Sequence, residues 1–184
     1  MNNQRPSGLA TEQLLEASFG HTPLYTPDER RRRDSSVWTL VQGVLAPVQF
    51  VVFVISLGLV LRYLATGEGL AAATISVVIK TIALYAIMIT GSIWEKVVFG
   101  RYLFAPAFYW EDVFSMLVLA LHTAYLAALF MNWLEPFGLM LLALAAYATY
   151  VINAAQFLIK LRMARLESNA GGHAFDQPQL EGAK

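Results

Sequence analysis

The sequence contains no cysteine, few charged residues and few histidines. Without cysteine there is no disulfide framework, no thiolate metal site and no cysteine nucleophile. Charged residues make up 14% of the 184 residues, and 13 basic side chains balance 13 acidic ones. This balance excludes a basic nucleic-acid-binding surface, and the low charge argues against a disordered or coiled-coil chain. The three histidines, His21, His122 and His173, are too scattered for a metal cluster built on imidazole.

Apolar residues, by contrast, make up 57% of the chain, against about 45–50% in an average soluble domain. They are concentrated in four segments of 22 to 28 residues, at 37–64, 70–93, 113–134 and 137–161. About 20 apolar residues cross the hydrocarbon core of a bilayer as a helix, since backbone groups in lipid must be bonded within the segment. We therefore predict an all-α integral membrane protein. Its four transmembrane helices form an up-down bundle with short outer loops and one longer interfacial inner loop.

The distribution of Lys and Arg predicts the orientation of this bundle. With the N-terminus inside, 11 basic residues fall on the inner side, Arg62 alone falls outside, and Lys80 lies within a span. We predict a cytoplasmic N-terminal segment at 1–36, a membrane domain at 37–166 and a flexible cytoplasmic tail at 167–184. The largest loop, at 94–112, is aromatic and amphipathic, and is expected to lie in the inner membrane interface.

Polar residues within the spans are the candidate functional groups. Judged by their depth, four of them should meet in the inner half of the bundle: Gln49, Lys80, His122 and Asn153. Three acids should lie at its cytoplasmic mouth: Glu95, Glu111 and Asp112. Ionisable groups at membrane depth are costly, and they mark a functional site by default.

Each of these residues also has a purely structural interpretation. Gln49 and Asn153 are typical of hydrogen-bonding contacts between membrane helices. Lys80 is compatible with a structural ion pair, and His122 with a satisfied buried imidazole. The three acids are compatible with solvated charges at helix ends. No phosphate-binding loop, paired-His helix or nucleophile elbow decides between these interpretations.

Four segments resemble the vinyl (bacterio)chlorophyllide hydratase family, most distinctively SIWEKVVFGRYLFA and FYWEDVFSMLVLALHTAYL within 89–129. The others lie at 35–50, 59–69 and 147–162. The resemblance implies a hydro-lyase of bacteriochlorophyll a synthesis. It would add water to the C3-vinyl group of chlorophyllide a, or of 3-vinyl bacteriochlorophyllide a, to give the 1-hydroxyethyl derivative. It also implies a bacterial inner (intracytoplasmic) membrane and no cofactor. The expected partners are the magnesium chlorin, membrane lipids and other enzymes of the same synthesis, but no nucleic acid.

The chemistry of this reaction assigns candidate roles to the polar residues. Protonation of the vinyl group needs a general acid, for which the candidates are Glu95, Glu111 and Asp112. His122 is a candidate base, or an axial ligand to the magnesium of the substrate, and the protein needs no metal of its own. The candidate substrate-binding residues are Lys96 and Arg101 for the propionate, with Lys80, Gln49 and Asn153 lining the pocket.

Two other functions compete with the hydratase. A pigment carrier or assembly factor would use the same pocket and histidine but would not depend on the carboxyl groups. A small ion or proton transporter would account for Lys80 and His122 at depth. An internal inverted repeat would support transport, but the segments 37–93 and 113–161 show no convincing repeat.

The orientation is testable with reporter fusions. Reporters fused after Gly67 and after Glu135 should read as external, and a reporter after Lys184 should read as cytoplasmic. The reason is that the end of the bundle that is rich in basic residues stays on the cytoplasmic side of the membrane. Alkaline phosphatase activity scores external sites, and a fluorescent protein scores cytoplasmic ones. A cytoplasmic signal after Gly67 would overturn the orientation.

Overall fold

The structure is a computed structural model that describes residues 24–175. Five helices make up this part of the chain: α1 at Pro27–Ser35, α2 at Val37–Thr66, α3 at Leu70–Phe99, α4 at Tyr109–Phe130 and α5 at Pro136–Phe175. The last four each contain a stretch long and apolar enough to cross a membrane. The predicted all-α membrane protein with four spans is therefore confirmed.

Local sequence explains where the first helices begin and end. The Thr26 hydroxyl and the Glu29 carboxylate form a reciprocal capping box at the start of α1, and the Ser36 hydroxyl caps α2. Gly67 and Gly69 adopt left-handed φ angles of 75° and 86°, a conformation that glycine adopts without steric cost. The turn between α2 and α3 is therefore short, and the two helices are antiparallel.

The bundle consists of two helical hairpins, α2 with α3 and α4 with α5, and most contacts between helices lie within each hairpin. In the first hairpin, the Gln42 amide donates to the Thr90 hydroxyl at 2.8 Å, far from the turn. Nearer the turn, the hydroxyls of Ser56 and Ser76 lie 2.7 Å apart. The short loops therefore give the predicted up-down arrangement.

A few polar and aromatic contacts join the two hairpins. The Ser56 hydroxyl, already bonded to α3, also lies 2.6 Å from the Tyr147 hydroxyl of α5. The Phe53 ring packs against Tyr147 and Tyr150, with centroids 5.4 Å and 4.8 Å apart. The core at this level therefore combines aromatic packing with hydrogen bonds that cross from one hairpin to the other.

The connection between the hairpins is shorter than the sequence predicted. We expected a loop at 94–112, but α3 continues to Phe99 and α4 begins at Tyr109, which leaves residues 100–108. The flanking aromatic rings are buried against one another: Trp94, Phe99 and Phe108 pack with Tyr25 in one cluster. This packing stabilises the extra helical turns, and it places Glu95, Glu111 and Asp112 on helices instead of in a loop.

The other span boundaries also differ from the sequence estimates. The third span lies at Tyr109–Phe130 and the fourth at Pro136–Met163, where we expected 113–134 and 137–161. Helix α5 continues to Phe175, into the segment expected to be a flexible tail. The predicted tail beyond 175, and most of the predicted N-terminal segment, lie outside the described residues.

Candidate active site

Two buried carboxyl groups face each other at the end of the bundle that carries residues 100–108, which we call the loop end. Glu95 projects from α3 and Asp112 from α4, and they are only 5% and 3% exposed. Their carboxyl groups lie within hydrogen-bonding range of each other. We call these two residues the carboxyl pair. It requires the antiparallel packing of α3 and α4, because the two residues are 17 positions apart in the chain.

The connecting loop is tied to the carboxyl pair through its backbone. The Phe104 amide donates to Asp112 Oδ2 at 2.6 Å, and the Ala105 amide donates to Glu95 Oε2 at 3.4 Å. Phe104 has a φ of 59°, a left-handed conformation that costs a non-glycine residue about 1–2 kcal/mol. The two carboxyl groups therefore hold residues 104–105 in a strained position that covers them.

Glu111 has a different environment from its neighbour in the chain. The Lys160 ammonium donates to Glu111 Oε2 at 2.7 Å and also lies 5.0 Å from the centre of the Phe108 ring. The Glu111 carboxyl group is therefore occupied by a contact with α5, whereas the carboxyl groups of Glu95 and Asp112 face each other. In the sequence, Lys160 is one of the 11 basic residues counted on the inner side of the bundle. Counting outward from the short turn at 135–136 would have placed it opposite Glu111.

The second group of polar residues lies deeper, between the four spans. Lys80 and His122 are fully buried, and they lie close enough to interact electrostatically. The Lys80 ammonium lies 3.9 Å from the centre of the Tyr150 ring. The Asn153 amide donates to the Ser115 hydroxyl at 2.9 Å. Lys80, His122 and Asn153 therefore lie in the bundle interior, on α3, α4 and α5, and Gln49 of α2 is also buried.

Several polar atoms of this deeper group lack a hydrogen-bond partner within the described part of the chain. They are Lys80 Nζ, His122 Nε2, Asn153 Oδ1 and both amide atoms of Gln49. The His122 Nδ1 lies 2.8 Å from the Val118 carbonyl oxygen, which can only accept. Nδ1 therefore carries a proton, and in the neutral ring the lone pair of Nε2 is available. Unpartnered buried groups of this kind are typical of sites that hold water or a ligand.

The two basic residues predicted to bind a propionate lie outside both groups. Lys96 is exposed, and its ammonium donates to the Gly100 carbonyl at the end of α3, 2.9 Å away. Arg101 is exposed at the start of the loop. Neither side chain reaches the bundle interior, so a propionate bound by Arg101 would lie at the surface of the loop end.

The carboxyl pair and His122 lie at different depths in the bundle. Asp112 and His122 are ten residues apart on α4, which corresponds to about 15 Å along a helix that rises 1.5 Å per residue. Both side chains cannot act on the two carbon atoms of a single vinyl group. If the carboxyl pair is the acid, His122 is not the base at the same carbon atoms.

Comparison with known proteins identifies the family of the chain. The family described as 2-vinyl bacteriochlorophyllide hydratase matches residues 25–163, which include all the polar residues of the carboxyl pair and of the deeper group. The chain belongs to the 2-vinyl bacteriochlorophyllide hydratase family. The matched range ends at the last residue of the fourth span, so the hydratase family shares the whole four-span bundle.

Two proteins of this hydratase family illustrate the similarity. A 2-vinyl bacteriochlorophyllide hydratase of Cereibacter sphaeroides is 71% identical over 151 residues, covering 82% of this chain and 93% of that protein. A protein of the same name from Rhodobacter capsulatus is 67% identical over 146 residues, covering 79% and 84%. No solved structure matches the chain.

The ion pair between Lys160 and Glu111 can be tested by unfolding. Replacing Lys160 by Met leaves a buried carboxylate without its partner, and this should lower the free energy of unfolding by about 1–3 kcal/mol. Adding Glu111→Gln in the same protein should restore most of that loss, because no uncompensated charge remains. Thermal unfolding of the purified protein in detergent measures both changes.

The neighbouring Arg162→Met variant is the control, since this side chain is exposed and lies outside the pair. It should leave the unfolding temperature unchanged. Equal destabilisation by the single Lys160→Met variant and by the double variant would show that the ion pair does not stabilise the loop end.

Proposed function

We propose that Glu95 and Asp112 are the acid–base pair with which this vinyl (bacterio)chlorophyllide hydratase adds water to its substrate. The product carries a 1-hydroxyethyl group in place of the vinyl group. The ring carbon that carries this group is called C3, or position 2 in older ring numbering. The observation that carries the proposal is the buried contact between two carboxyl groups in a chain of this family. Each group supplies one half of an acid–base reaction.

Two carboxylates in contact repel each other, so the pair is most stable when it holds one proton. The protonated carboxyl donates this proton to the terminal vinyl carbon, and a C–H bond forms as the O–H bond breaks. The positive charge then lies on the carbon next to the ring, where the conjugated macrocycle delocalises it. Water attacks that carbon and transfers a proton to the carboxylate. The pair regains its proton, and the net change is the addition of one water molecule.

Three observations favour this pair over the other predicted acids and bases. Glu111 accepts a hydrogen bond from the Lys160 ammonium, so its carboxyl group is engaged in a contact between α4 and α5. His122 lies ten residues from Asp112 along α4, too far to act at the same carbon atoms. Residues 104–105 cover the carboxyl pair. A substrate that displaces these two residues would therefore expose the acid at the moment it binds. Exclusion of bulk water in this way strengthens electrostatic interactions within a site.

The same proposal extends to the membrane and the substrate. We place the protein in the inner or intracytoplasmic membrane of a bacterium with both termini cytoplasmic, because 11 of its 13 basic residues then lie on the inner side. The carboxyl pair would lie at the cytoplasmic interface. An amphiphilic magnesium chlorin would reach this depth with its propionate in the headgroup region, and other enzymes of the synthesis would supply it from the same membrane.

Substitution of either carboxyl group tests this assignment. Glu95→Gln and Asp112→Asn keep the size and hydrogen-bonding capacity of each side chain but remove its proton. Each variant should lower turnover by about 10²–10⁴-fold, the range of general acid–base contributions. The assay incubates membranes with a vinyl chlorophyllide and measures, by mass spectrometry, the product that is heavier by one water.

The exposed Glu68, at the opposite end of the bundle, provides the matched control. Glu68→Gln should retain wild-type turnover and the same amount of inserted protein. Wild-type turnover in both carboxyl variants would reject the acid–base pair. Binding of the chlorin by purified wild-type protein without any hydration would instead favour a pigment carrier, in which the available lone pair of His122 would be a magnesium ligand.

Substitutions of His122 distinguish between three possible roles of this residue. If the carboxyl pair performs the chemistry, His122→Gln should leave turnover per inserted molecule unchanged and should lower only thermal stability. Substrate binding and turnover are measured on the same purified protein. A rate loss of about 10²-fold or more with intact binding would make His122 the base. Weakened binding in His122→Gly that added imidazole restores would make it an axial ligand of the chlorin magnesium.

A further inference from the structure

Four aromatic side chains form an exposed patch on the outside of the loop end. We call this set the loop patch: Tyr102, Phe104, Tyr109 and Trp110. The Phe104 and Tyr109 rings have centroids 5.7 Å apart, and the Tyr109 and Trp110 rings lie 5.6 Å apart. Phe104, Tyr109 and Trp110 therefore present contiguous aromatic surface, in contrast to single aromatic anchors scattered along an interface, and Tyr102 is exposed in the same loop.

Two basic residues, Lys96 and Arg101, border this surface, and among the described side chains only Arg101 of the two is free to bind a ligand. Lys96 lies 5.2 Å from the centre of the Tyr102 ring, but its ammonium already donates to the Gly100 carbonyl. The neighbouring Arg101 is exposed, and its guanidinium has no hydrogen-bond partner among the side chains that the structure describes, which are those of residues 24–163 and 165. A guanidinium at the edge of an aromatic surface suits a flat conjugated ligand that carries a carboxylate.

The loop patch is continuous with the carboxyl pair through a single residue. The Phe104 side chain belongs to the exposed patch, whereas its backbone amide donates to Asp112 Oδ2 on the buried side. Any ligand that stacks on Phe104 therefore lies directly outside the covered acid. Displacement of this residue would also release its left-handed φ, so the strain favours movement once new contacts replace the hydrogen bond.

We propose that the loop patch is the docking site for the chlorin substrate, and this rests on the proposed hydratase function. The macrocycle stacks on the aromatic side chains, its propionate pairs with Arg101, and residues 104–105 then move aside so that the vinyl group reaches the carboxyl pair. Specificity for the free acid over an esterified chlorin follows from the pairing with Arg101.

The competing explanation is that these aromatic residues only anchor the protein in the membrane interface. The chain contains a matched control for this, because Trp133 lies at the opposite end of the bundle and is exposed to the same extent as Trp110, 67%. Membrane anchoring predicts similar effects of substitution at the two positions. Docking of a substrate predicts an effect at Trp110 alone.

The test measures binding of an unreactive ligand, a magnesium chlorin free acid that carries ethyl in place of vinyl. Chlorin fluorescence reports its dissociation constant for the full-length protein in lipid nanodiscs. Trp110→Leu should raise the dissociation constant by roughly 2- to 10-fold, the range expected for one lost aromatic contact, whereas Trp133→Leu should leave it unchanged. Tyr109→Leu is the second patch variant should Trp110→Leu fail to insert.

The methyl ester of the same chlorin tests the role of Arg101. Arg101→Gln should weaken binding of the free acid by roughly 2- to 5-fold, as expected for an exposed ion pair, and should not change binding of the ester. Arg62→Gln, an exposed arginine at the opposite end, should change neither. Equal effects at Trp110 and Trp133, or equal effects of Arg101→Gln on acid and ester, would overturn the docking site. A wild-type protein that binds the chlorin but adds no water to a vinyl chlorophyllide would instead overturn the proposed function.

Discussion

The hydrocarbon core of a membrane offers no hydrogen-bond partner to a peptide group, and the other features of this protein follow from that constraint. The backbone satisfies it by forming helices across each span, and short turns pair these helices into two hairpins. The polar side chains obey the same constraint by facing inward, as Lys80, His122 and Glu95 do. The polar interior is therefore a consequence of the membrane, and the positions of the groups within it decide which of them are available for chemistry.

Burial divides the polar groups into two sites with different properties. At the loop end, Glu95 and Asp112 contact each other and accept hydrogen bonds from the loop backbone, while Lys160 donates a hydrogen bond to Glu111. Deeper in the bundle, Lys80 and His122 lack hydrogen-bond partners at Nζ and Nε2 among the described residues. The reaction requires a proton donor and a proton acceptor at adjacent carbon atoms, and our proposal assigns both roles to the first site. The deeper groups are better suited to hold water or to bind a more distant part of a ligand.

The strained loop connects stability to function. Phe104 remains in a left-handed conformation because its amide bonds to Asp112 and because neighbouring aromatic residues fix both ends of the loop. If the pair supplies the acid, as we propose, its cover limits exchange of that proton with water until the substrate arrives. The same arrangement explains why the candidate acids are buried although they lie at the end of the bundle, where water is close.

The sequence by itself determined the spans, their antiparallel order and the candidate polar residues, because hydrophobic length and the spacing of turns are local properties. It also carried the family resemblance. Only the tertiary structure decided the pairing of those residues, since Glu95 meets Asp112 through packing between helices that belong to different hairpins. It likewise showed that Glu111 is paired with Lys160 and that the connecting loop is short. Composition cannot predict these contacts, because the rotation of each helix depends on which side chains pack against it.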